Sequence, residues 1–207
     1  MSGDAAKRDA AERAALLVED GMRLGLGTGS TVNFLIPALA ARGLKDLRCV
    51  ATSTATERLA AEHGIPVEPF DSLTTLDLAI DGADEVAPDR WLVKGGGGAH
   101  TREKIVAAAA ERFVVIVDDS KMVEALSWPV PVELLPFGLA ATLARLGDAT
   151  VREGAPPSPD GGVIGDVRAD LRDPAEVAER LAATPGVVEH GLFPPEMVAD
   201  VIVGRAP

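Results

Sequence analysis

The sequence predicts an α/β protein: a Rossmann-like, mostly parallel sheet with helices on both faces, joined to a smaller ferredoxin-like α+β domain. Three observations lead there. Short aliphatic runs alternate with helical patterns as far as Lys121, which implies right-handed crossovers and parallel strands. The composition is 47% hydrophobic but only 3% aromatic, so the core is built from Ala, Val, Leu and Ile, as suits a sheet buried under helices. Beyond Lys121, Pro129, Pro131 and Pro136 interrupt the chain, and the segments to Phe193 read strand, helix, strand, strand, helix, strand. A chain of 207 residues accommodates one domain of ordinary size and a smaller one. The expected boundaries are 1–128 with 197–207 for the larger domain and 129–196 for the smaller.

In order along the chain, an opening helix is expected from about Asp4 to Asp20, with Gly21 as its stop. A strand over Met22–Leu26 leads into the turn Gly25–Thr31. The next helix places Val32, Leu35, Ile36 and Leu39 on one face, and Pro37 inside it should kink or weaken it. A strand over Leu47–Ala51, a polar turn over Thr52–Thr54 and a helix to about His63 repeat the unit. Strands follow at Ile65–Val67, Leu76–Ile80 and Trp91–Val93, then a helix from Thr101 to about Glu111 and a buried strand over Phe113–Val117. In the smaller domain the helices fall at about Pro136–Leu146 and Pro174–Ala182, and Pro159-Asp160-Gly161-Gly162 suits the central hairpin. The last run, Met197–Val203, is expected to return to the first sheet.

Charge and composition exclude several classes of function. The net charge is −12, which opposes nucleic acid and anionic membrane surfaces. With no Tyr and two Trp, there is little to stack on bases. No apolar run approaches a membrane span. The charged N-terminal segment lacks the apolar region of a secretory signal, so a cytoplasmic location is expected. Cys49 is the single cysteine and reads as a buried strand residue. His63, His100 and His190 have no metal-ligand spacing among themselves or with Cys49, so no metal site is expected. No serine stands in a nucleophile elbow.

Five segments carry chemistry, and most of them follow a strand's carboxyl end, where open parallel sheets collect ligands. Gly25–Thr31 is not a dinucleotide fingerprint, because Ser30 stands where the third glycine is required and Thr52-Ser53 replace the acidic residue after the next strand. Nor is it a P-loop, since no Gly-Lys-Ser/Thr follows. Its glycines, hydroxyls and helix N-terminus suit a phosphate or sugar hydroxyls, or simply make a tight capped turn. Asp81-Gly82-Ala83-Asp84-Glu85 crowds three carboxylates that repel one another unless they bind hydroxyls or a cation, or exchange protons. Four consecutive glycines in Lys94-Gly95-Gly96-Gly97-Gly98-Ala99 are entropically costly and point to close approach to the main chain. Lys94 offers a charge worth roughly 4 kcal/mol to an oxyanion about 4 Å away at an effective dielectric near 20. Glu103, in Thr101-Arg102-Glu103-Lys104, either answers a helix dipole or acts as a base. Lys121, in Asp118-Asp119-Ser120-Lys121, adds a second cation.

Taken together, GTGST at Gly27–Thr31, DGADE at Asp81–Glu85, KGGGGA at Lys94–Ala99, TREK at Thr101–Lys104 and Ser120-Lys121 resemble the type A ribose-5-phosphate isomerase family. The likeness keeps motif order and spacing over nearly the whole chain, continuing through Pro131-Val132-Glu133, Pro185–Val188 and Gly191-Leu192-Phe193. It implies an isomerase of carbohydrate metabolism that interconverts D-ribose 5-phosphate and D-ribulose 5-phosphate through a cis-enediol(ate) in the non-oxidative pentose phosphate pathway, with no cofactor and no metal. By the resemblance, Glu103 is the base, Lys94 steadies the oxyanion, Asp81 helps open the furanose ring and Asp84 holds sugar hydroxyls. Thr28, Gly29, Ser30, Thr31, Gly82, Ala83, Gly95, Gly96, Gly97 and Lys121 would complete the substrate site. The resemblance also implies a homodimer or homotetramer. The segment Pro136-Phe137-Gly138 and the hairpin at Pro159–Gly162 depart from the family pattern.

Other readings share the sheet. A non-catalytic sugar-phosphate sensor would bind without turnover and normally carries a DNA-reading module, for which the segment before Met22 leaves no room. A sugar-phosphate lactonase or amino-sugar-phosphate deaminase would call for a catalytic His in a motif. A coenzyme A transferase would show a glutamate thioester with acyl-coenzyme A.

Overall fold

A computed structural model describes residues 2–206. In chain order the elements are helix α1 (Ser2–Ala15), strand β1 (Arg23–Leu26), α2 (Val32–Ala41), β2 (Arg48–Ala51), α3 (Thr54–Glu62), β3 (Leu78–Asp81), β4 (Glu85–Val86), β5 (Leu92–Val93), α4 (His100–Ala109) and β6 (Phe113–Asp118). They continue with β7 (Val130–Leu134), α5 (Leu139–Leu146), β8 (Ala149–Val151), β9 (Val163–Val167), α6 (Pro174–Ala182), β10 (Val187–His190), β11 (Leu192–Phe193) and β12 (Asp200–Gly204). Two compact units result. Among the described residues, the first comprises 2–83, 102–122 and 196–206, and the second 84–101 and 123–195. The second is therefore larger than the 129–196 expected, because β4 and β5 form a small antiparallel sheet with β11.

In the first unit five parallel strands run in the order β12-β6-β3-β1-β2. Leu24 pairs with Cys49 on one side and Leu78 on the other, so the carboxyl ends of β1, β2 and β3 share one edge. Chain order reverses between β1 and β3, the place where such sheets open a crevice. Leu24, Leu26, Ile80 and Ile116 point into a core shared with Val18, Leu35, Ile36, Leu39 and Ala60 from the α1–α3 side. Gly25 faces the other way: a Cβ there would lie 2.4 Å from Val106 of α4. Helices thus cover both faces. No helix among the described residues is long and apolar enough to cross a membrane.

The first and last elements of this unit are tied together. Arg13 donates to the Val203 carbonyl at 2.9 Å, the Arg205 amide donates to Asp9 at 3.0 Å, and Gly204 passes so close to Ala6 that a Cβ would strike its carbonyl. The return of the C-terminal run to the first sheet, expected from Met197–Val203, is realised by β12.

The second unit holds a four-stranded antiparallel sheet in the order β10-β7-β9-β8 with α5 and α6 between strands, the ferredoxin-like arrangement. Val130, Val132, Leu134, Leu146, Val167 and Leu181 form its core.

Several boundaries differ from expectation for physical reasons. The opening helix ends at Ala15, five residues early, and Arg42 donates to the carbonyls of Ala15 and Val18. Ile65–Val67 forms only a single bridge from Val67 to Cys49, since Pro66 has no N–H to give a ladder. The helix expected from Pro136 begins at Leu139 because Gly138 is left-handed, with φ +71°. Pro37 is carried inside α2 without ending it.

Candidate active site

The acidic segment proves to be three separate anchors. Asp81, at the end of β3, accepts from the Thr28 amide at 3.0 Å and the Gly82 amide at 2.7 Å. Asp84 accepts from the Gly96 amide at 2.7 Å. Glu85 is buried and takes the Ser127 amide and hydroxyl at 2.8 and 2.9 Å and the Trp128 amide at 3.0 Å. Amide donors of this kind relieve the repulsion that the sequence implies, because each carboxylate has its own positive dipoles. Glu85 is structural.

In the first unit, the turn after β1 is built around Asp81. A Cβ on Gly27 would fall 2.0 Å from the Asp81 carboxyl carbon and 2.4 Å from its Cβ, so only glycine lets this carboxylate approach. Hydroxyls hold the turn from the other side. Thr28 bonds Thr52 at 2.7 Å, and Thr56 donates to the Gly27 carbonyl at 2.8 Å. Ser53 caps α3 by accepting from the Thr56 amide at 3.2 Å. Gly29 has φ +136° and is exposed, as is Ser30, while Thr31 is buried at the start of α2. The structure therefore brings Thr28 to Asp81 and leaves the backbone at Gly29 and Ser30 open. Gly82 and Ala83 are half-buried. Glu103 lies in the first turn of α4 and is 4% exposed. Lys121 ends a 3-10 turn whose cap, Asp118, accepts from the Ser120 amide at 3.0 Å and from its hydroxyl.

In the second unit, Lys94 is 2% exposed, and its ammonium lies 5.4 Å from the centroid of the Phe193 ring, within range of a cation–π attraction. Its amide donates to the Gly191 carbonyl at 2.8 Å. The glycines that follow are closely engaged. Gly95 has φ +106°, and a Cβ on Gly96 would come 2.6 Å from Asp84 Oδ1. Gly97 is exposed.

Two groups escaped the sequence reading. Arg152 donates to the carbonyls of Gly95 at 3.0 Å and Gly96 at 2.9 Å while paired with Asp166 at 2.8 and 2.5 Å. The Asp166 carboxylate raises the guanidinium's proton affinity, with the Asp84 charge adding to the effect. Glu133 is buried and accepts from Thr101 and from Ser158 at 2.5 Å. Arg152 belongs to no local motif and sits more than fifty residues from the loop it holds, while Glu133 lies in the Pro131-Val132-Glu133 run, which assigns it no partner. Among the described residues, no cluster of His, Cys, Asp or Glu could hold a metal ion.

Each unit thus pairs a glycine-bearing turn with a carboxylate, and each contributes buried ionisable groups of the kinds that proton transfer beside a carbonyl uses. Comparison with known proteins agrees with this chemistry. The family model described as ribose 5-phosphate isomerase A (phosphoriboisomerase A) matches residues 48–207. A relative from Caulobacter vibrioides named ribose-5-phosphate isomerase A is 46% identical over 218 aligned positions, covering 99% of this chain and 96% of the relative. A solved D-ribose-5-phosphate isomerase in complex with phospho-erythronic acid superposes with a TM-score of 0.93 at 37% identity, covering 99% and 96% of the two chains. The ribose 5 phosphate isomerase A of Neisseria gonorrhoeae gives 0.94 at 37% identity, covering 100% and 96%. The chain belongs to the ribose 5-phosphate isomerase A family.

Proposed function

We propose that this protein interconverts D-ribose 5-phosphate and D-ribulose 5-phosphate. The observation that carries this reading is the 46% identity to a ribose-5-phosphate isomerase A across 99% of this chain and 96% of the relative. The solved isomerase holding phospho-erythronic acid supports an anionic sugar-like substrate.

The chemistry assigns each group a task. Asp81 takes the proton of the anomeric hydroxyl and returns it to the ring oxygen, opening the furanose. The Glu103 carboxylate then removes the proton on C2. The C2–H electron pair forms the C1–C2 double bond and the carbonyl electrons move onto O1, giving a cis-enediolate. The Lys94 ammonium is the group assigned to steady that oxyanion; a preorganised cation favours the transition state over the ground state. Glu103 returns its proton to C1, and the O2 hydroxyl proton passes to O1, leaving a ketone at C2. No redox agent enters the balance, and one base with one oxyanion partner suffices without a metal. Asp84 receives sugar hydroxyls. Thr28 to Thr31, Gly82, Ala83, Gly95 to Gly97 and Lys121 hold the rest of the substrate and its phosphate. Asp81, Lys94 and Glu103 are only 3, 2 and 4% exposed, and buried ionisable groups of these kinds are candidates for such roles.

The reading includes a cytoplasmic enzyme assembled as a homodimer or homotetramer, which light scattering on the purified protein tests. The activity is tested by conversion of ribose 5-phosphate in EDTA, beside Glu103→Gln. Wild-type turnover, with a loss of about 10²-fold or more in a folded variant, is the expected result. Binding without turnover by the wild type would overturn the isomerase and favour a sensor. Full activity in the variant would move the base to another carboxylate.

A further inference from the structure

The Gly95–Gly96 peptide is gripped at both ends. Its carbonyl accepts from Arg152 at 3.0 Å and from the Gly98 amide at 3.0 Å, and its N–H donates to Asp84 Oδ2 at 2.7 Å. The next carbonyl, Gly96, accepts from the same guanidinium nitrogen at 2.9 Å. Glycines place almost no steric limit on which way a peptide faces, so its orientation here must come from its hydrogen bonds. Arg152 is itself held, because its other nitrogens form a two-pronged pair with Asp166 on β9. That pair is largely shielded, with side chains 21 and 23% exposed. A fork of this kind needs the planar guanidinium; an ammonium cannot serve a carboxylate and two carbonyls at once.

We propose that Arg152 is a positioning residue for the glycine-rich loop. It fixes the Gly95–Gly96 peptide so that the Gly96 amide holds the carboxylate of Asp84, the group assigned above to sugar hydroxyls. The chain of contacts runs Asp166, Arg152, peptide, Asp84, and polarisation along it strengthens each bond. Without Arg152 the peptide keeps only the Gly98 amide on the Gly95 carbonyl and nothing on the Gly96 carbonyl, so the donor that sets the direction of Asp84 is held less firmly. The catalytic side of this inference rests on the isomerase reading; the anchoring side does not.

The experiment uses the full chain and the variants Arg152→Ala, Arg152→Lys and Arg152→Gln, each checked for a cooperative thermal transition, so that one folded variant is enough. Hydrogen exchange at the Gly96 amide reads the anchor without reference to activity, and faster exchange in the folded variants is expected. Ribose 5-phosphate kinetics should show kcat/KM lowered by about ten-fold to 10²-fold, with lysine no better than glutamine and guanidinium salt restoring part of the alanine variant's rate. In a double-mutant cycle with Asp84→Asn, the Arg152 effect should largely disappear, because it acts through that carboxylate. Unchanged Gly96 exchange overturns the proposal, as does wild-type kcat/KM in Arg152→Ala, or strict additivity with Asp84→Asn. An inactive wild type whose Gly96 exchange still depends on Arg152 would sink the isomerase reading and leave the anchoring intact.

Discussion

The two glycine-bearing turns solve one problem in different ways. Each admits a carboxylate from the acidic segment against its main chain, Asp81 at Gly27 and Asp84 at Gly96. The first turn is braced by hydroxyls from the β2–α3 segment, with Thr56 on the Gly27 carbonyl and Thr52 on Thr28. The second has its own Gly98 amide on the Gly95 carbonyl and is braced further by Arg152, from a strand-following loop far along the chain. The room around each carboxylate differs as well. At Gly27 a side chain would meet the Asp81 Cβ itself at 2.4 Å, whereas at Gly96 only the far end of Asp84 is near. Asp81 has no rotation that clears such a group; Asp84 can swing.

That difference sets the order of expected effects. Gly27→Ala should cost about 10²-fold or more in kcat/KM by displacing Asp81, while Gly96→Ala should cost about ten-fold, both read by ribose 5-phosphate turnover in folded protein. Equal losses in the two variants would erase the distinction between a locked and an adjustable carboxylate. Thr56→Val removes the hydroxyl that satisfies the buried Gly27 carbonyl and should lower stability by about 1–2 kcal/mol in urea unfolding, with activity falling less than in Gly27→Ala. Unchanged stability would mean that the first turn is braced elsewhere.

The smallest effect is a pH dependence confined to the first unit. Burial pushes the Cys49 thiol from its ordinary 9.0 up to about 12. A raised value favours the neutral thiol in the folded state, so its contribution is complete below pH 9 and is lost as pH climbs from there towards 12. Wild type should therefore lose about 1 kcal/mol more stability than Cys49→Ala between pH 8 and pH 10. Parallel losses in the two proteins would show that the thiol is not sheltered.

The sequence made some of this plain and concealed the rest. Strand–helix alternation is a local signal, and the strands and helices of the first unit lie close to where periodicity puts them. Pro66 was misleading because its flanking aliphatics look like a strand while its missing N–H prevents one. The run of glycines at Lys94–Ala99 signalled close approach to the main chain, and the structure shows one approaching group to be the protein's own Asp84. Three adjacent carboxylates read as a single acidic cluster, since spacing along a chain cannot reveal that Glu85 turns to Ser127 and Trp128. Arg152 left no trace in the motifs, and Pro131-Val132-Glu133 gave no hint of what Glu133 holds, because their partners are assembled only by the tertiary fold. Burial was equally invisible for Glu103, where one turn of helix hides the side chain while its neighbour Ile105 stays exposed.

The clasp between α1 and β12 bears on how the molecule is made. Strand β12 lies at the edge of the first sheet, paired with β6, yet among the described residues it is the last strand in chain order. During synthesis, β6 must wait for its neighbour while 123–195 emerge, its outer edge open and rich in valine. The four-stranded sheet of the second unit, by contrast, has all its strands between Val130 and His190 and can close beforehand. In chain order, the later-begun sheet is complete before the earlier-begun one. A chain truncated before Asp200 would display the exposed, valine-rich β6 edge to the cell's chaperones.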